Sequence, residues 1–412
     1  MNINGIIAEY NPFHNGHVHQ MNSALQVSGA EKTIVVMSGN FVQRGEPAIV
    51  DKFTRAKMAL MSGADMVIEL PFCYACSSAD YFSRGAVSLL AALGIVTHVA
   101  FGMESGTVGE LEPIAEILID EPETYKKALN EGLKMGLAYP LARNNALVSC
   151  NPEITGNNDL LSSPNNILAL EYIKQIKKYH FNLTPISTLR NGAGYHDRFL
   201  DTSAYASAMA IRHAVSYGED VNRLKEFMPD FAFVLLSECI NTGRTVFADD
   251  FSEMLLFKLI KEREEGYTRY LDVSEELSDR IVNHLPDYKS FSSFCELLKS
   301  KDRTYTRISR TLIHILLDIT SHDLDRCGMV GFPPYARLLG FRRDSEDLLS
   351  KLKTSTSIPI ITKYSDAKEK LTAEGMSLLK KNILCDEIYN SVIAVKSGNK
   401  IVTDFSNQLV VV

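Results

Sequence analysis

Several features that mark membrane and secreted proteins are missing from this sequence of 412 residues. No apolar run approaches the roughly 20 residues that a helix needs to cross a bilayer. The N-terminus lacks a basic segment and a small-residue cleavage site, so we expect no secretory signal. We therefore expect a soluble cytoplasmic protein without a membrane partner.

Cysteine is too scattered to form a disulfide framework. The chain has seven cysteines, an odd number, whereas disulfide-stapled domains carry paired cysteines at close spacing. Cys73 and Cys76 form a C-x-x-C pair, but no second pair follows at the spacing of a zinc site. We expect two buried thiols on a turn between strand and helix, with a metal or redox site as the alternative.

Positive charge is also in deficit, since the net charge is −7. Such a protein repels nucleic acid on average, so any RNA contact must use a local basic patch. The helix after Thr304 offers one, because Arg303, Arg307 and Arg310 recur three to four residues apart. An ordinary solvated helix face remains the alternative, and His314 in the same helix can be a packed core residue.

The N-terminal segment carries the strongest pattern. An apolar run over residues 6–8 predicts a buried strand, Pro12 breaks it, and helical periodicity begins near His17. A helix N-terminus has unpaired N–H groups and partial positive charge, which suit a polyphosphate. His14 and His17 flank Gly16 there and can donate hydrogen bonds to phosphate oxygens. The alternative is a loop with two surface histidines.

Strands and helices alternate after this segment, which predicts an α/β fold with a doubly wound parallel sheet. We predict further strands at Thr33–Met37, Asp65–Leu70, Thr97–Phe101 and Asn182–Leu189. A helical insertion is expected at 106–150, and a domain boundary near 220. Residues 221–412 predict a mainly helical domain with minor β structure, at Ile358–Ile361, Val392–Val395 and Leu409–Val412, and no strand between 221 and 350.

The ligand of an open α/β sheet lies where the strand order reverses. In the order 3-2-1-4-5 this point brings the segment after strand one close to Gly102, which follows strand four. Arg190 lies on the same rim, and Arg212 can reach the phosphates, although either can form a surface salt bridge instead. Asn165 can hold ribose or base, or merely cap its helix.

The loop over 40–52 predicts a substrate-binding loop, because loops at this rim usually carry function. Its candidate residues are Gln43, Arg44 and Lys52. A plain solvated loop is the competing interpretation.

The segment ending in His14-Asn-Gly-His17 resembles the H-x-G-H motif of the nucleotidyltransferase superfamily. Ser207–Arg212 resembles its second motif, with Ala208 and Met209 in place of the usual hydroxyl residues. Three segments together resemble the bacterial tRNA(Met) cytidine acetate ligases: Ile7–His17, Met37–Ala48 and Ser163–Asn166.

This resemblance implies a nucleotidyltransferase-like Rossmann domain over 1–220 and a helical tRNA-binding domain over 221–412. It implies an enzyme that activates acetate with ATP as acetyl-adenylate and acetylates N4 of the wobble cytidine of elongator tRNA(Met), holding the anticodon arm. Mg²⁺ would accompany ATP without a dedicated carboxylate site, and no DNA partner is expected. His14 and His17 would be catalytic. The implied ATP contacts are Ile7, Ala8, Glu9, Tyr10, Asn11, Pro12, Phe13, His14, Asn15, Gly16, His17, Val18, His19, Gln20, Gly102, Asn165 and Arg190.

Two other functions fit the residues. A small-molecule adenylyltransferase shares the H-x-G-H site but has no use for the helical second half. A non-catalytic, nucleotide-dependent RNA-binding protein has no clear need for two histidines at a phosphate site.

Overall fold

The computed structural model describes residues 1–137, 139–154, 160–161, 163–189, 206–301, 303–329, 333–404 and 409–412. Its strands are β1 (Ile3–Ala8), β2 (Lys32–Ser38), β3 (Phe41–Val42), β4 (Glu46–Pro47), β5 (Met66–Leu70), β6 (His98–Met103), β7 (Thr184–Leu189), β8 (Ala336–Phe341), β9 (Ile360–Ile361) and β10 (Val410–Val411).

The helices before residue 220 are α1 (Asn15–Ser28), α2 (Lys52–Met61), α3 (Phe72–Ala75), α4 (Ala79–Ala92), α5 (Val108–Asp120), α6 (Glu123–Lys134), α7 (Tyr139–Cys150), α8 (Pro164–Lys178) and α9 (Ala208–Ser216). Those after it are α10 (Asp230–Asn241), α11 (Ser252–Lys261), α12 (Glu275–His284), α13 (Phe291–Leu298), α14 (Tyr305–Leu316), α15 (Ser321–Met329), α16 (Glu346–Ser355), α17 (Tyr364–Lys370) and α18 (Ala373–Ser397). Helices α5 to α7 confirm that the 106–150 segment is helical. In the part of the chain given above, no helix is both long and apolar enough to cross a bilayer.

The central sheet has the order β10-β8-β5-β2-β1-β6-β7, with β9 beside β8. From β5 to β7 every neighbouring pair is parallel, which confirms the predicted order 3-2-1-4-5. Both faces are buried, as a doubly wound sheet requires. Ile7 and Val36 pack in one core with residues of α4 and α8, while Ile6 and Val35 pack in the other with residues of α1 and α2.

The second half of the chain also contributes to this sheet. Strand β8 runs antiparallel to β5, and β10 pairs with β8. The expectation of no strand between 221 and 350 is therefore wrong. Strand β8 is not predicted from the sequence because Arg337 and Gly340 interrupt its apolar pattern, and neither residue type is enriched in strands. All of β8 is buried, and the side chain of Arg337 is neutralised by acids from other segments.

Of the three terminal segments predicted as β structure, two are confirmed, since β9 and β10 lie within them. The prediction of a strand at Val392–Val395 is wrong, because these residues belong to α18. A four-residue apolar run cannot distinguish a strand from a buried turn of helix.

Candidate active site

Two histidines cap the N-terminus of α1. His14 is the N-cap residue, and its Nδ1 accepts the Gly16 N–H at 3.0 Å. The Nδ1 of His17 accepts the His14 N–H at 3.2 Å, and the two rings stack with centroids 3.8 Å apart. Because both Nδ1 atoms are acceptors, each neutral ring carries its proton on Nε2 and can donate it to an anion. The predicted position of the histidines at a helix start is confirmed.

The loop between β1 and α1 is fixed from two sides. The peptide bond between Asn11 and Pro12 is cis. The Asn11 side-chain oxygen accepts the Ile49 N–H at 2.7 Å, and its backbone oxygen accepts Arg212 Nη1 at 2.7 Å. Arg212, on α9, is thus held against the loop that precedes the histidines.

A buried arginine ties together the carboxyl ends of β1 and β2. Arg55 is fully buried and donates to the carbonyl oxygens of Glu9 at 2.7 Å, Ser38 at 3.0 Å and Val50 at 3.0 Å, and also to Gly39. Its burial lowers the pKa of the guanidinium, while nearby acids raise it. Sequence analysis missed Arg55, because its partners are backbone carbonyl oxygens. Every residue type carries this group, so the sequence contains no pattern that identifies them.

The predicted substrate loop contains the hairpin β3–β4, which reaches back to β1. The Gln43 N–H donates to Glu9 Oε1 at 2.9 Å. Burial raises the pKa of Glu9, and this hydrogen bond together with Arg44 opposes the rise. At the tip of the hairpin, the Gly45 carbonyl accepts Ser309 Oγ of α14 at 2.7 Å.

A cleft at the carboxyl edge of the sheet brings most of the predicted residues together. Its lining includes Ile7, Ala8, Glu9, Tyr10, Asn11, His14, Gly16, His17, His19, Gln20, Gly102, Asn165, Gln43 and Arg44. The lining therefore joins the histidines, Gly102 and the hairpin, as the switch-point argument predicts.

Other predicted residues lie elsewhere. Phe13 is buried in the core, and Asn15 donates to the Glu226 carbonyl at 3.0 Å. Pro12 and Val18 are also outside the lining. Lys52 is buried, pairs with Glu69 and Asp386, and is not part of the cleft lining. Arg190 lies outside the described residues.

The structure does not bring the three arginines near α14 onto one surface. Arg303 pairs with Glu276 at 2.7 Å, and Arg310 Nη1 points to the Gln43 carbonyl at 3.4 Å. Arg307 is exposed. His314 is a buried core residue between the Cys76 and Leu271 carbonyls, and burial lowers its pKa.

The cleft is also lined by aromatic residues that sequence analysis missed. Phe82, Phe101 and Tyr172 lie there with Leu168. Asn165, Leu168 and Tyr172 recur at helical spacing, a signal that could have found the last two. Asn166, next to Asn165, is buried and braces the end of β6, accepting the Glu104 N–H at 2.9 Å.

The cysteine prediction is confirmed in that Cys73 and Cys76 are buried thiols at and just after α3. Within the described ranges, no group of three or more His, Cys, Asp or Glu side chains could hold a metal ion.

Comparison with known proteins identifies the family of the chain. The model of the HIGH Nucleotidyl Transferase family matches residues 1–403. A tRNA(Met) cytidine acetate ligase of Acetivibrio thermocellus is 37% identical, with 100% of both chains covered. The chain belongs to this ligase family.

Solved structures of the family share the fold. The apo crystal structure of TmcAL from Thermotoga maritima matches with a TM-score of 0.93 and 31% identity, over 100% of both chains. A second crystal form of that protein, bound with alpha-thio ATP, matches with a TM-score of 0.90 and 30% identity, over 100% of both chains. The described chain is thus an enzyme of the ligase class with the fold of an ATP-binding relative.

Proposed function

We propose that this enzyme joins acetate and ATP into acetyl-adenylate and transfers the acetyl group to N4 of the wobble cytidine of elongator tRNA(Met). The observation that carries the proposal is the histidine pair at the start of α1, which lines the cleft and offers two Nε2–H donors. The names of the relatives and the nucleotide bound to the Thermotoga protein support it. The enzyme would act in the cytoplasm, where its tRNA is used.

In the first step an acetate oxygen attacks the α-phosphorus and pyrophosphate departs. Negative charge grows on the departing group, so donors fixed in place beforehand stabilise the transition state more than the ground state. His14, His17 and the N-terminus of α1 supply such donors, and Arg212 adds a guanidinium to the same cleft. Mg²⁺ bound to the phosphates would offset part of their charge.

In the second step the cytosine amine attacks the acetyl carbonyl. The base must be turned out of its stack to enter the cleft. Helix α14 contacts the hairpin through Ser309 and Gly45, so an anticodon arm held near the exposed Arg307 would lie close to the cleft. We propose Arg307 as the member of the arginine set that contacts RNA.

The test is acetate-dependent exchange of pyrophosphate into ATP, followed by transfer of labelled acetate to tRNA. We expect exchange only with acetate, its loss in His14→Ala and His17→Ala, and an acetylated cytidine after tRNA digestion. Exchange supported equally by a nucleoside monophosphate would indicate a small-molecule adenylyltransferase. Nucleotide binding without exchange would indicate a non-catalytic RNA-binding protein.

A further inference from the structure

We propose that the Glu9 carboxylate is the base that removes the proton from the cytosine amine in the transfer step. This inference rests on the proposed function and names a catalytic residue for it. Among the described residues that line the cleft, Glu9 is the only acidic one.

Both ends of Glu9 are held in place. Its backbone oxygen accepts Arg55 Nη1 at 2.7 Å, and its side-chain Oε1 accepts the Gln43 N–H at 2.9 Å. The residue follows β1 directly, five positions before His14, and it is half-buried. A carboxylate fixed in this way can meet a substrate without reorganising, which favours proton transfer.

The charges around Glu9 suit a base. Arg44 on the hairpin and Arg212 on α9 favour the ionised carboxylate of Glu9, and the buried Arg55 adds a further positive charge nearby. Glu46 on the hairpin is the opposing charge. Burial raises the pKa of Glu9 most strongly, and a carboxylate with a raised pKa binds a proton more readily.

The transfer step needs such a group. The N4 lone pair attacks the acetyl carbonyl carbon, a C–N bond forms, and the C–O bond to the phosphate breaks as AMP leaves with the electron pair. The attacking nitrogen would carry a positive charge unless its proton departs. That proton goes to a Glu9 oxygen.

The variant Glu9→Gln keeps an oxygen that can accept the Gln43 N–H but lacks basicity. We expect its single-turnover transfer, started by adding tRNA to enzyme incubated with ATP and acetate, to slow by about 10²–10⁴-fold. Acetate-dependent pyrophosphate exchange should fall much less than transfer, because only the transfer step removes a proton from an amine. Glu46→Gln removes a carboxylate of the same hairpin that pairs with Arg212 at 3.5 Å and lies outside the lining. It controls for a changed charge at Arg212 and should slow transfer far less than Glu9→Gln.

The pH profile provides a readout that a structural role would not move. The wild-type transfer rate should rise with pH to a plateau, and Glu9→Gln should lose that rise. Three outcomes would each overturn the assignment. The first is unaltered transfer in Glu9→Gln, and the second is an equal loss of exchange and transfer in that variant. The third is a pH dependence of transfer that His19→Gln removes and Glu9→Gln does not. Should Glu9→Gln not fold, a flat wild-type profile would overturn it. If pyrophosphate exchange by the wild type needs no acetate, the proposed function itself fails. The exchange assay alone detects that failure, so it can be told apart from a failure of the Glu9 assignment.

Discussion

At the scale of single residues, the two ring nitrogens of His14 have separate roles in the proposed mechanism. Its Nδ1 accepts a backbone N–H and caps α1, and we propose that its Nε2–H donates to phosphate. The sequence predicts both histidines at the helix start, because strand, Pro12 and apolar periodicity mark that boundary. It does not predict that the two rings stack, or that each Nδ1 accepts a backbone N–H at the start of α1.

The two jobs can be separated by substitution. Asparagine is among the best N-cap residues, whereas alanine cannot cap. We expect His14→Asn to be more stable than His14→Ala by about 0.5–2 kcal/mol. Exchange should fall by roughly 10²–10³-fold in both variants, because both lack the Nε2–H. Thermal melts and exchange assays measure the two effects. An active His14→Asn would show that His14 serves only as a cap.

At the scale of secondary-structure elements, the hairpin β3–β4 depends on a glycine. Gly45 has φ +76°, and a Cβ placed on it would lie 2.2 Å from the Arg310 backbone nitrogen of α14. The hairpin carries Gln43 and Arg44, so its seating on α14 sets the position of two residues that line the cleft. The sequence predicts a functional loop here but not its support, which comes from a helix more than 250 residues later.

Gly45→Ala should therefore displace the hairpin. We expect the free energy of unfolding to fall by the roughly 1–2 kcal/mol of left-handed strain plus a further 1–3 kcal/mol of overpacking, and exchange to fall with it. Gly136→Ala is the matched control, because Gly136 has φ +78° with nothing within 4 Å. It should lose only the strain contribution and remain active. Equal effects of the two substitutions in melts and exchange assays would contradict the seating argument.

Helix α14 also supports a prediction about RNA. Arg307→Ala removes the exposed cation of the set while leaving Arg303 with Glu276 and Arg310 under the hairpin. We expect weaker tRNA binding, with the slope of log K against log salt reduced by about one. Exchange should not change. Filter binding at several salt concentrations measures this, with the exposed Lys127 of α6 changed to Ala as control. Loss of exchange with unaltered binding would exclude the RNA role.

At the scale of the whole molecule, the parallel core of the sheet could be predicted and its extension could not. Alternating strands and helices predict the order from β5 to β7, because each apolar run is local. Strand β8 is set by distant partners, since Arg337 pairs with Glu69 of β5 and with Asp404. Lys52 completes this buried cluster with Glu69 and Asp386. The division near residue 220 stays a prediction, although both halves share one sheet.

The cluster gives the stability of the molecule a pH dependence with a defined sign. Burial, with Glu69 nearby, raises the pKa of Asp386 to about 6 although Lys52 lowers it. An unfolded aspartate titrates near pH 4, so between about pH 4 and 6 the folded state binds more protons. The contribution of Asp386 to the free energy of unfolding is therefore fully present below pH 4. It declines as the pH rises to 6, by at most ~3 kcal/mol.

Asp386→Asn removes that titration. We expect the wild-type Tm, relative to the variant, to fall between about pH 4 and 6 and to level off above it, as measured by melts across this range. Asp344→Asn is the control of opposite sign, because Arg342 lowers the pKa of the exposed Asp344, whose stabilisation is lost as pH falls. A constant difference between wild type and Asp386→Asn would mean that Asp386 stays ionised. The buried cluster would then join the two halves of the chain through ion pairs in which the Asp386 carboxylate carries no proton across this pH range.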